Sequence, residues 1–112
     1  MANSLRGQTT VTIGDDQFEV LLNMNAFRLM CQDRGMELQQ MDDFLGKSPL
    51  DFVPSIVFWG IMNAADYKGD ARPDITFDRL AAVVCADMDQ FTQLSGAIGS
   101  SLGIEVDGDG KK

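Results

Sequence analysis

Phe52-Val-Pro-Ser-Ile-Val-Phe-Trp-Gly-Ile-Met-Asn-Ala-Ala65 runs fourteen residues without a charge, between Asp51 and Asp66, and holds the one tryptophan of the chain. It can be read as a membrane span, a core helix or a surface for another protein. A span needs about 20 predominantly apolar residues, so this stretch is too short, and Pro54 and the flanking aspartates weigh further against it. On a helical wheel at about 100° per residue, Leu50, Val53, Val57, Ile61 and Ala64 gather on one face. Asp51, Ser55, Asn63 and Asp66 gather opposite. Phe52, Trp59 and Met62 fall within that polar arc, with Ile56 and Phe58 at its borders. The helix is therefore apolar nearly all round. Either the other elements cover it on all sides, or part of it faces a partner with Trp59 as aromatic anchor. Both arrangements stay open, and Phe52, Trp59 and Met62 are the candidate partner-binding residues.

The flanking sequence supplies elements to pack around it. Thr9–Ile13 and Gln17–Leu22 alternate apolar and polar residues, with Gly14-Asp15-Asp16 as a turn between them, which predicts a β-hairpin. A hairpin is marginal alone, so its apolar face must rest on helices. Asn23 or Asn25 caps a helix to about Arg34, with Met24, Phe27, Met30 and Cys31 on its inner stripe and Gly35 as the stop. Leu38–Leu45 reads as a short helix or turn ended by Gly46. Ser48-Pro49 then opens the uncharged helix, which extends to about Tyr67. Thr76 caps a helix carrying Phe77, Leu80, Ala81, Val84 and Cys85 inward. Asp87 or Asp89 caps a last helix with Met88, Phe91, Leu94, Ile98 and Leu102 inward. The expected architecture is α+β, an N-terminal hairpin packed on four to five helices. Residues 1–8 read as a loose start, 9–102 as a single domain and 103–112 as a flexible acidic tail.

At 112 residues and 45% apolar content the chain can fill one modest core. The N-terminus MANSLRGQTT lacks the apolar centre of a signal peptide, so a soluble cytoplasmic chain is expected. A net charge of −8 argues against direct nucleic-acid binding, which draws on cationic side chains. Cys31 and Cys85 read as buried small apolar side chains rather than a disulfide. The chain contains no histidine, which removes histidine triads and histidine metal ligands. No glycine-rich phosphate loop and no cysteine pair at metal spacing occurs. The acidic pairs Asp15-Asp16, Asp42-Asp43 and Asp87/Asp89 read as turns and caps. Glu105, Asp107, Asp109 and Gly110 match half of a calcium loop, but the bidentate glutamate at its twelfth position is not supplied. Neither an enzyme nor a cofactor is expected. Gln90–Ile104 is a second uncharged run, with Gly96, Ser100 and Gly103 forming a small-residue side.

The order of these elements resembles a known family. The turn and strand Gly14-Asp-Asp-Gln-Phe-Glu-Val20 lead into Asn23-Met-Asn-Ala-Phe-Arg-Leu-Met30. An apolar helix follows, then Thr76-Phe-Asp-Arg-Leu-Ala-Ala-Val-Val84 and the Asp87-Met-Asp89 junction. Over Thr9–Leu102 this is similar to the tail assembly chaperones of long-tailed bacteriophages and prophages. The resemblance implies a non-enzymatic protein of the host cytoplasm that is absent from the mature virion. It also implies binding to the hydrophobic tape measure protein, which is kept soluble while tail tube protein assembles around it, and self-association. Gly110-Lys111-Lys112 could be encoded by the slippery run at which such genes frameshift into a longer form. The alternative is a small structural virion protein, a head–tail connector or tail-completion protein. An acidic DNA mimic would need carboxylates spread along one surface, and here they concentrate at caps, turns and the tail.

Overall fold

Gly14, at φ 65°, and Asp15 turn β1 (Gln8–Ile13) back into β2 (Asp16–Leu21), with Ile13 opposite Asp16 and Gln8 opposite Leu21. Only glycine reaches that φ without a steric cost. The computed structural model describes residues 8–102. The loose start expected over residues 1–8 is one residue too long, since Gln8 already pairs with Leu21 in β1; residues 1–7 and the expected acidic tail, with its half calcium loop and Gly-Lys run, lie outside the described residues. Five helices follow the hairpin: α1 (Met24–Arg34), α2 (Met41–Lys47), α3 (Pro49–Lys68), α4 (Phe77–Ala86) and α5 (Met88–Leu102), with a 3-10 turn at Leu38–Gln40 before α2. The fold is α+β, a two-stranded antiparallel hairpin on a helical bundle.

Local chemistry sets the helix ends. Asn23 Oδ1 accepts from the Asn25 and Ala26 amides at 3.0 and 3.3 Å, and Gly35 closes α1 in the left-handed conformation. Thr76 Oγ1 accepts from Arg79 N, and Asp87 Oδ1 from Gln90 N. Ser48 stands at the head of α3, but its side chain makes no capping hydrogen bond. Its carbonyl instead accepts from Asp51 N and Phe52 N. Gly46 does not stop α2, which runs one residue further to Lys47.

The uncharged helix is the centre of the fold. α3 touches β2, α1, α2, α4 and α5, and every residue from Phe52 to Val57 and from Gly60 to Ala64 is buried. The hairpin lays Val11, Ile13, Val20 and Leu22 onto the helices, and Phe27, Met30, Leu80, Val84, Leu94 and Ile98 close the core from the other sides. A salt bridge from Lys68 to Glu19 ties the end of α3 to β2. Pro54 sits inside α3 and has no N–H for the Leu50 carbonyl one turn back. The Cys85 thiol from α4 donates to that carbonyl, at 3.7 Å.

Four side chains read as inward point out. Met24, Leu50 and Met88 are 63%, 65% and 75% exposed, and Cys85 is exposed. All four lie in the first or last turn of a helix, where the apolar stripe continues past the elements it packs against. Both cysteines are free thiols, Cys31 buried and Cys85 not. Burial also pushes the Cys31 thiol up, so it yields less thiolate. A maleimide or disulfide reagent is therefore expected to modify Cys85 promptly and Cys31 more slowly. Equal rates at the two thiols, read by mass spectrometry, would contradict this arrangement.

Candidate functional site

The three candidate contact residues do not form one exposed surface. Phe52 is fully enclosed and meets Phe44 edge-on, with ring centroids 5.2 Å apart. Met62 is 6% exposed, on the covered side of α3. Trp59 alone of the three is half-buried. The polar residues of the same arc account for this. Ser55 and Asn63 are each 2% exposed, because partners inside the fold satisfy them. Ser55 Oγ accepts from Arg34 Nη2 at 2.6 Å, and that guanidinium also lies over the Phe44 ring at 4.7 Å. Asn63 donates to the Leu21 carbonyl at 2.9 Å and to Asn23 Oδ1 at 2.8 Å, and accepts from Asn25 Nδ2 at 2.7 Å. This asparagine cluster joins the end of the hairpin, the start of α1 and the middle of α3.

The loop after α3 partly covers Trp59. Arg72 folds back and grips Asp66 with two hydrogen bonds, Nε to Oδ1 at 2.9 Å and Nη2 to Oδ2 at 2.6 Å. The same guanidinium lies 5.9 Å from the indole centroid, and Phe58 meets the indole edge-on at 5.3 Å. The hydrogen bonds from Arg72 hold the Asp66 carboxyl below the usual carboxylate range. The contribution of this pair is thus present above the ordinary value of 3.8 and lost as pH falls through the lowered one. Both side chains are more than a third exposed, and solvent screening keeps the contribution small. Arg72→Ala is expected to change stability by under about 1 kcal/mol. It should also shift Trp59 emission to the red and admit a soluble quencher. Unchanged emission would show that Arg72 does not shield the indole.

An open apolar groove lies elsewhere, between α1 and the 3-10 turn. Met24, Asn25, Arg28, Cys31 and Leu38 line about 500 Å³. Met24 and Leu38 are 63% and 48% exposed, while Cys31 forms part of the wall and is buried. Arg28 Nε donates to Asn25 Oδ1 at 2.8 Å, which fixes the polar end. Methionine is flexible and polarizable, and suits a surface that must adapt to varied apolar partners. Sequence reasoning placed Met24 in the core and did not single out Leu38. The available signal was position, since Met24 is the first residue of α1 and Leu38 lies in a short polar turn. A second cleft, about 290 Å³ between the hairpin and α4, holds Asp16, Asp74 and Arg79 beside Phe18 and Ile75.

Among the described residues no group of three or more histidine, cysteine, aspartate or glutamate side chains could hold a metal ion. Nor is any helix among them long and apolar enough to cross a membrane. The fold and its concavities thus define a hairpin-capped helical domain with an apolar groove. Compared with known protein families, curated proteins and solved structures, the chain matches none.

Proposed function

We propose that the protein is a non-catalytic binding protein, a tail assembly chaperone of a long-tailed bacteriophage or prophage. It holds apolar segments of the tape measure protein in solution in the host cytoplasm until tail tube protein assembles around them. The observation that carries the reading is the groove of Met24, Cys31 and Leu38. It offers an adaptable apolar surface to a helical segment, and such a segment docks through spaced apolar side chains. The succession of hairpin, asparagine-capped helix, apolar helix, threonine-capped helix and last helix supports the same reading. Trp59, half-buried beneath Arg72, is a secondary contact outside that groove.

The test is co-expression with the tape measure protein encoded beside it. Wild type should render the client soluble and co-purify with it. The double variant Met24→Ser, Leu38→Ser alters two exposed side chains and should stay folded, yet lose capture by about tenfold or more, the effect of about 1.4 kcal/mol. Trp59→Ala should retain most of it. A client that stays insoluble with wild type would sink the chaperone reading. Recovery of the protein from purified particles would favour the structural virion protein instead.

A further inference from the structure

The apolar groove between α1 and the 3-10 turn is lined by a single charged side chain, Arg28. Arg28 stands four residues after Met24 and three before Cys31 in α1, so it shares their face. Its head group is held in place. Asn63 gives both amide hydrogens to Leu21 and Asn23, so its oxygen faces Asn25 and accepts from Nδ2 at 2.7 Å. Asn25 Oδ1 then points outward and accepts from Arg28 Nε at 2.8 Å. A chain of amides thus runs from Asn63, which is 2% exposed, to the rim of the groove and fixes the guanidinium there.

The charge on Arg28 has no counterpart. The chain holds 17 acidic residues, and Lys47, Lys68 and Arg72 each pair with one. Arg79 shares its cleft with Asp16 and Asp74, and Arg34 lies over the Phe44 ring beside Ser55. Arg28 meets only a neutral amide oxygen. Among the described residues no carboxylate pairs with it, and its two Nη groups make no hydrogen bond. With Nε occupied, those two groups form the end-on fork that grips a carboxylate through parallel hydrogen bonds. The walls beside the fork are too open to enclose a small ligand, since Met24 and Leu38 are 63% and 48% exposed. They suit one side of a helix.

We infer that Arg28 selects an acidic residue on the segment that the groove binds, an amphipathic helix with an aspartate or glutamate beside its apolar stripe. The inference rests on the reading of this groove as the client site. The stripe lies over Cys31 between Met24 and Leu38, and the carboxylate takes both Nη groups. A chain of net charge −8 repels acidic segments over most of its surface. One fixed cation beside an apolar groove therefore sets where such a segment sits and in which register.

Overlapping peptides spanning the tape measure protein encoded beside it test this, with binding to the full chain read by fluorescence anisotropy. The tightest binder is expected to carry an aspartate or glutamate whose change to the amide weakens binding at least about fivefold. Arg28→Gln keeps a donor for Asn25 and should weaken the unaltered peptide to the same extent. With the amide peptide it should cost nothing further. Arg28→Lys should restore only part of the affinity, because it keeps the charge and loses the fork. Raised salt should weaken the wild-type complex more than the Arg28→Gln complex. An Arg28→Gln chain that binds as tightly as wild type, or losses that simply multiply, overturn the inference. If Met24→Ser, Leu38→Ser still abolishes binding in that case, the groove reading stands without it. Peptides that bind this double variant as tightly as wild type, or no peptide binding at all, remove the groove reading and the inference together.

Discussion

Asn63→Asp is expected to lower stability by at least about 3 kcal/mol at neutral pH. The two side chains have nearly the same shape, so packing contributes little to the loss. Asn63 spends both amide hydrogens, on the Leu21 carbonyl and on Asn23 Oδ1, and its own oxygen accepts from Asn25. A carboxylate keeps the last bond and turns its second oxygen toward two acceptors, in a site 2% exposed. The Leu21 carbonyl is left without a donor, which costs about 1–3 kcal/mol, whereas Asn23 Oδ1 keeps the Asn25 and Ala26 amides but faces a charged oxygen, and the buried charge adds to the loss. The pH dependence separates this cause from simple loss of a contact. Burial among acceptors raises the folded pKa of the introduced carboxyl above its unfolded value. The folded state therefore binds more protons than the unfolded one between those values, and stability falls as pH rises through that window. The deficit of Asn63→Asp against wild type should shrink as pH falls toward about 4, where the unfolded carboxyl also protonates. Asn63→Ala introduces no titrating group, so its deficit should not follow that course. Urea unfolding at several pH values decides between them. Parallel curves for the two variants would show that the hydrogen-bond count does not govern this site.

Asn63 also shows where sequence patterning stops. The period of the apolar residues placed the hairpin and the core face of α3, and cap chemistry placed Thr76 and narrowed the other two caps to Asn23 or Asn25 and to Asp87 or Asp89, because these rest on local chemistry. It could not tell that Ser55 and Asn63 lie inside, since a polar side chain is buried only where distant partners meet it. Those partners, Arg34 for Ser55 and Leu21, Asn23 and Asn25 for Asn63, stand 21 to 42 residues away. Once they are counted, the part of the arc with Phe52 and Met62 becomes interior, while Trp59 keeps an outer side and Asp51 and Asp66 stay exposed.

The opposite error has a matching cause. Met24, Leu50, Cys85 and Met88 obey helical spacing, but spacing names a face and not the point where the neighbouring element ends. The groove of Met24 and Leu38 was illegible for this reason, as one of its walls reads as core and the other as a turn. The two hydrogen bonds between the Gln90 side chain and the Thr12 backbone were hidden more deeply, because the residues are 78 apart. Nothing in either local sequence marks the pairing.

Gly60→Ala should destabilise the fold although it improves the helix. Alanine inside a helix is favoured over glycine by about 1 kcal/mol. At Gly60 the added Cβ would lie 2.6 Å from Val20 Cγ1, 3.1 Å from Leu22 Cδ2 and 3.6 Å from the Leu21 carbonyl. Val20 and Leu22 are themselves enclosed, and Val20 is branched at Cβ and cannot swing aside cheaply. Either β2 lifts from α3 or both side chains leave their rotamers, which costs about 1–3 kcal/mol. The net effect is a loss of up to about 2 kcal/mol for Gly60→Ala, and of about 3 kcal/mol or more for Gly60→Val. Gly96 in α5 is the control, because a Cβ there meets nothing within 4 Å. Gly96→Ala should be neutral or gain up to about 1 kcal/mol. The cause can be isolated with Val20→Ala, which removes the methyl that the new Cβ strikes. Combined with Gly60→Ala it should cost less than the sum of the two single changes, by about 1 kcal/mol. Strict additivity would mean that the close approach of β2 to α3 at Gly60 is not what makes the glycine necessary.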